Sequence, residues 1–114
     1  MTDRDQSHLE DMLSYALDAI ELLGDADAIA LADDKMRRYA VTRAVEIVGE
    51  AAANVTVERR SQLSSVPWRS VIGMRNVLIH GYAGFDLAIL VDTVRSHLPP
   101  LVETLRAALG GSQP

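Results

Sequence analysis

The residues best able to do chemistry in this chain stand in one short segment, Met74-Arg75-Asn76-Val77-Leu78-Ile79-His80-Gly81-Tyr82. A guanidinium, a carboxamide, an imidazole and a phenol at this spacing fit phosphodiester cleavage. Arginine stabilises negative charge developing on phosphorus, histidine moves a proton near neutral pH, and the amide orients or hydrogen-bonds. On an ideal helix Asn76 and His80 are i,i+4 neighbours on one face. Arg75 lies about 140° around the helix from His80 by the 3.6-residue period. A small departure from helical geometry just before Gly81 would draw the four groups to one helix end. The same residues have a second reading, in which Arg75 and His80 only cap the last carbonyls of their helix.

Other chemistries find less support. The chain has no cysteine, which excludes disulfide scaffolds, thiolate metal sites and thiol nucleophiles. His8, His80 and His97 have no metal-ligand spacing, and no glutamate opens a Glu-x-x-His pair, so no metal and no cofactor are expected. Asp25-Ala26-Asp27 and Asp33-Asp34 could face a cation, but acids beside helix starts are better explained as caps. Met12, Met36, Trp68 and Met74 are expected in the core rather than on a ligand platform.

The elements that must position the segment read as helices. Leu9, Met12, Leu13, Ala16, Ile20 and Leu23 keep a 3.6-residue period up to a stop at Gly24. The start is either Ser7, which has capping-box spacing to Glu10, or the earlier Asp3. A short turn or helix over Asp25–Ala32 leads to a long helix from about Asp33 to Asn54. Its stripe is Ala40, Val41, Ala44, Ile47, Val48, Ala51, Ala52 and Val55, with small residues that admit a close neighbour. Thr56 to Ser65 reads as a loop. Pro67 stands in the first turn of a third helix that runs to about Ile79 and stops at Gly81. Asp86 caps a fourth, striped by Leu87, Leu90, Val91, Val94 and Leu98, which Pro99-Pro100 must kink or split before Leu101–Leu109 continue it. No segment shows strand periodicity. The fold class is all-α, an antiparallel four-helix bundle with a kinked C-terminal helix.

With 114 residues, 48% hydrophobic, the chain is read as one domain over residues 1–114. Its polar, acidic N-terminal segment is no signal peptide and no apolar run could span a membrane, so a cytoplasmic protein is expected. The net charge of −5 is unevenly spread: residues 1–34 carry −9, residues 35–82 carry +5, and the rest −1. Ten of the eleven bases are arginines, whose planar fork suits phosphate. A basic middle permits nucleic-acid binding, although salt bridging within the bundle explains individual arginines as well.

Arg75-x4-His80-x-Tyr82, with Asn76 directly after the arginine, resembles the Arg-x4-His-x-Tyr motif of the HepT-like branch of the HEPN superfamily. That branch is the toxin half of HepT/MNT toxin–antitoxin systems. The likeness runs along nearly the whole chain: Tyr39-Ala40-Val41, then Val48-Gly49-Glu50-Ala51, Pro67-Trp68, Met74-Arg75-Asn76 and Phe85-Asp86. The resemblance implies a HEPN-type bundle acting as a homodimer and a metal-independent endoribonuclease on RNA. It implies Arg75 and His80 as the catalytic pair, Asn76 in support, and Tyr82 as the site of AMPylation by a cognate MNT-type nucleotidyltransferase. The competing expectation is a non-catalytic helical dimer that binds a nucleotide or a nucleotidyltransferase.

Overall fold

The structure is a computed structural model, in which residues 3–79 and 87–110 are described. Among them all regular structure is helical. Helix α1 spans Asp3–Leu23, α2 Ala28–Ala32, α3 Lys35–Asn54, α4 Val57–Gln62, α5 Trp68–Ile79, α6 Leu87–Asp92 and α7 Leu98–Ala108, with a π-helical turn over Thr93–His97 between the last two. Helix α1 packs on α3 and α7, and α3 packs on α5. The all-α bundle expected from periodicity is the observed fold, and no described helix is long and apolar enough to cross a membrane.

The local reasons are the expected ones for most boundaries. Helix α1 takes the earlier start at Asp3 and ends at Gly24, whose φ of 54° is left-handed and open to a residue without a Cβ. Asp27 caps α2 by accepting from the Ala30 N–H, and Asp34 caps α3 by accepting from the Arg37 N–H. The core gathers Leu9, Met12, Val41, Val48, Leu98 and Leu105, each with no exposed surface. Fully burying one such side chain contributes about 1.5–3 kcal/mol. Met36 departs from expectation. It is 84% exposed, because the first turn of α3 extends beyond the neighbouring helices while the buried stripe begins only at Val41.

One segment differs from its sequence reading. Residues 57–62, read as loop, form α4, because Thr56 supplies an N-cap that a polar, uneven sequence hides: its hydroxyl accepts from the Arg59 N–H. The C-terminal helix is split at the proline pair as expected, into α6 and α7 with the π-helical turn between them. Pro99 and Pro100 occupy the first turn of α7, and the turn before them widens so that the Leu98 N–H bonds to the Thr93 carbonyl, five residues back. The wide turn takes up the mismatch left by two residues without N–H groups. Leu90, Val94, Leu98, Leu101 and Leu105 stay buried through it.

One polar contact closes the N-terminal end. Asp5 is buried, and both its oxygens are held by Thr56: Oδ1 accepts from the backbone N–H at 2.9 Å and Oδ2 accepts from the hydroxyl at 2.7 Å. The backbone bond first, and the hydroxyl bond second, hold the Asp5 carboxyl below the usual carboxylate range. A lowered folded pKa makes the stabilisation whole above the unfolded value near 3.9 and lost as pH falls through the folded value. Asp5→Asn is therefore expected to lower the melting temperature at about pH 7, with the gap to wild type narrowing as pH falls below the unfolded value of about 3.9. Thermal unfolding across that range checks it; a gap independent of pH would contradict it.

Candidate active site

Helix α5 carries the candidate site, and three devices fix where it lies. Its first residue, Trp68, is half-buried, and the indole Nε1–H donates to the carbonyls of Arg60 at 3.2 Å and Leu63 at 3.0 Å, fastening α5 to the end of α4. Arg60 in turn donates from Nε to the Val55 carbonyl and from Nη2 to the Ala53 carbonyl, satisfying free carbonyls at the end of α3. The Asp5–Thr56 contact holds the start of α4 from the other side. The N-terminal end of α5 is thus tied through α4 to both α3 and α1.

The third device sits beside Arg75 itself. Gly49 of α3 lies so close to α5 that a Cβ there would stand 2.8 Å from the Arg75 backbone nitrogen, 3.1 Å from the Arg75 Cβ and 3.1 Å from the Val71 carbonyl oxygen. Small residues on α3 were the visible sign of a close neighbour, and the neighbour is the residue bearing the candidate guanidinium. Val71 is fully buried, while Ile72 and Met74 are half-buried against the core. Arg75 is half-buried on the side of α5 that faces α3.

The arginines divide into two groups. Arg38 donates to the Ala32 carbonyl, Arg95 to the carbonyls of Gly24 and Ala26, and Arg60 as above. Arg37 pairs with Asp34, Arg43 with Glu46 and Glu50, and Arg106 with Glu103. These six serve the bundle. Arg59 donates to the Gln62 side-chain carbonyl, and among the described residues the guanidinium groups of Arg4, Arg69 and Arg75 engage no carboxylate or carbonyl. Arg69 and Arg75 lie on α5.

Of the expected site residues, Arg75 is placed on α5 and the Asn76 backbone continues the same helix. The Asn76 side chain, together with His80, the Gly81 stop, Tyr82 and the Asp86 cap, lies outside the described residues. The sequence reading missed the Asp5–Thr56 contact and the Gly49 approach as supports of the site. A threonine directly before Val57-Glu58 was a helix-start signal, and the glycine within an alanine-rich stripe signalled close packing.

The described residues define the class of small all-α helical bundles, with Arg75 on a helix packed closely against α3. Residues 12–108 match the family model described as ribonuclease HepT-like, and the chain belongs to that family. It is 40% identical over 102 residues to “Putative RNase MJ1380” of Methanocaldococcus jannaschii, covering 89% of this chain and 94% of that protein. It is 38% identical over 100 residues to “Probable ribonuclease HepT” of Thermococcus cleftensis, covering 84% of this chain and 90% of that one. No solved structure matches the chain.

The Gly49 contact is testable. Gly49→Ala adds a methyl against backbone atoms that cannot rotate aside, so α5 must move away from α3. The expected cost is about 1–3 kcal/mol, enough to outweigh the roughly 1 kcal/mol that alanine gains over glycine within a helix. Thermal unfolding measures it, and a raised melting temperature would show that the two helices are not held this closely.

Proposed function

We propose that this protein is a metal-independent endoribonuclease and the toxin of a toxin–antitoxin pair, working in the cytoplasm as a homodimer. The observation that carries the reading is the complete Arg75-Asn76-x3-His80-x-Tyr82 set in a chain that matches the ribonuclease HepT-like family over residues 12–108. In the reaction, the 2′-hydroxyl of one nucleotide attacks the adjacent phosphorus, and the bond to the 5′-oxygen of the next nucleotide breaks. The products are a cyclic phosphate and a free 5′-hydroxyl. One proton leaves the 2′-oxygen and one reaches the departing 5′-oxygen, both exchanged with imidazole. Arg75 stabilises the extra negative charge on the phosphoryl oxygens, and its lack of a carboxylate partner among the described residues leaves it available for that task. Asn76 supports the pair by hydrogen bonding. The requirement for a 2′-hydroxyl selects RNA over DNA.

A single His80 must act as base and then as acid, whereas two copies of the motif around a two-fold axis supply both groups at once. Dimerisation is therefore part of the proposal. Tyr82 is the proposed control point. Transfer of AMP from ATP to its hydroxyl by an MNT-type nucleotidyltransferase, with release of pyrophosphate, would set an anionic phosphate near Arg75 and occupy the place of the substrate.

Purified protein is expected to cleave total RNA in EDTA, with Arg75→Ala and His80→Ala each reducing the rate by about 10²-fold or more while the helical circular dichroism signal is kept. RNA left intact by wild type, with or without metals, would instead point to a helical dimer that only binds a nucleotide or a nucleotidyltransferase.

With the cognate nucleotidyltransferase and ATP, intact mass should rise by one or more AMP units in wild type and stay unchanged in Tyr82→Phe. A gain that persists in Tyr82→Phe would remove Tyr82 from the regulatory role.

A further inference from the structure

Helix α5 is held at two separate places. Near its middle, the backbone of Arg75 and the Val71 carbonyl lie against Gly49 of α3 with no room for a methyl group. At its first residue, the Trp68 indole Nε1–H donates to the carbonyls of Arg60 and Leu63 at the end of α4. A rod held at one point can tilt about it, whereas a rod held at two has a fixed direction. At 1.5 Å per residue, the middle contact lies about 8 Å from Trp68 and about 9 Å from Ile79. A tilt at the N-terminal end is therefore returned at nearly equal size, in the opposite sense, at the C-terminal end. That is the end from which the sequence runs on to His80 and Tyr82.

The hold of Trp68 is only as firm as α4, and α4 is secured by polar bonds. None of its residues is buried, so no apolar face anchors it. The Thr56 hydroxyl accepts from the Arg59 N–H, and Arg60 donates to the carbonyls of Val55 and Ala53 at the end of α3. On the other side, Asp5 of α1 accepts from the Thr56 N–H at 2.9 Å and from its hydroxyl at 2.7 Å. Asp5 is only 2% exposed, and a buried carboxylate is costly unless its bonds are made. The bonds it makes go to the first cap of α4, 51 residues away in the chain. Helix α4 is thus a brace between α1 and α3, whose far end offers two carbonyls to Trp68. Phenylalanine would supply a ring at position 68, but only the indole N–H takes hold of that brace.

We propose that Trp68 is a positioning residue for the candidate site: its indole N–H, bonded to α4, sets the direction of α5 about the Gly49 contact and so the placement of Arg75 and of the chain that follows it. Asp5 acts on the same element at one remove, by holding Thr56 and with it α4. Neither side chain touches the reacting atoms. A misplacement of about 1 Å at a reacting group can cost about 10²-fold in rate, so a small tilt suffices to be read in turnover. This rests on the ribonuclease reading above and adds to it the device that aims the helix carrying the motif.

The test uses the full chain with Trp68→Phe, Asp5→Asn, Thr56→Val and Thr56→Ser, read by thermal unfolding, by amide hydrogen exchange and by cleavage kinetics on a short RNA well below every melting temperature. Val102→Ala, a core truncation on α7, serves as the control for lost stability. Trp68→Phe should lower kcat by about ten-fold with KM changed by less than about two-fold, because the bond orients a helix and does not bind substrate. Asp5→Asn and Thr56→Val should follow in the same direction, and Thr56→Ser, which keeps the hydroxyl, should match wild type. The Asp5→Asn/Trp68→Phe double variant should lose little more than Trp68→Phe alone, since both act through α4. Exchange should quicken in α4 and the first turns of α5 while α7 keeps its protection. Val102→Ala should melt earlier yet keep the wild-type kcat. Unchanged kcat in Trp68→Phe, beside a wild type that cleaves, overturns the positioning role and leaves the ribonuclease reading standing. A loss of kcat that Val102→Ala reproduces at equal melting temperature assigns Trp68 to stability alone and overturns it likewise. Wild-type protein that cleaves no RNA overturns the ribonuclease reading, and the positioning role with it.

Discussion

Helices α3 and α5 touch where Gly49 meets the backbone of Arg75, at a separation that leaves no room for one methyl group. Most of what can be said about the candidate site follows from that contact. It sets the side of α5 that faces inward at Val71 and Arg75. It holds the Arg75 main chain against a long helix whose own stripe of Val41, Val45, Val48 and Ala52 is anchored in the core. A guanidinium that must meet a phosphate gains from a backbone that cannot drift, since a flexible side chain can search only around a fixed Cα.

The supports arranged around this contact are polar and form a chain. Asp5 holds Thr56, Thr56 caps α4, and the Arg60 and Leu63 carbonyls at the end of α4 take the Trp68 indole at the start of α5. Each member satisfies backbone groups that a helix end leaves free. A small bundle with few aromatic residues thereby sets the position of α5 by directional bonds as well as by apolar packing. The arginines show the same division of labour. Most of them close helix ends or pair with neighbouring acids, which accounts for much of the basic middle without any ligand. Arg4, Arg69 and Arg75 stand apart from that use among the described residues.

Membership in the ribonuclease HepT-like family gives this geometry its chemical meaning. An arginine on a rigid helix, followed by a histidine at the same end, fits a reaction in which a phosphate gains charge and protons change hands.

The sequence by itself determined the all-α class, the length of α1, α3 and α5 to within a few residues, and the identity of the motif, because these depend on local periodicity, caps and residue type. Asp27 and Asp34 were legible as caps since capping is a bond between near neighbours in the chain. Helix α4 was not legible, because its residues are polar on all sides and its stability comes from Thr56, Asp5 and Trp68 together. Met36 was misread for a related reason: periodicity shows that a helix has an apolar face but not where along its length a neighbour ends. The proline pair announced a disturbance, yet only packing decided that the split would take the form of a π-turn that keeps Leu98 buried. The two glycines mark the limit most plainly. Gly49 and Gly73 are the same residue in the middle of helices, and only the small residues around Gly49 hint at a close neighbour. Only the tertiary structure shows which helix Gly49 meets: a Cβ there would stand against the backbone of α5, whereas among the described residues no atom lies within 4 Å of the Cβ position of Gly73.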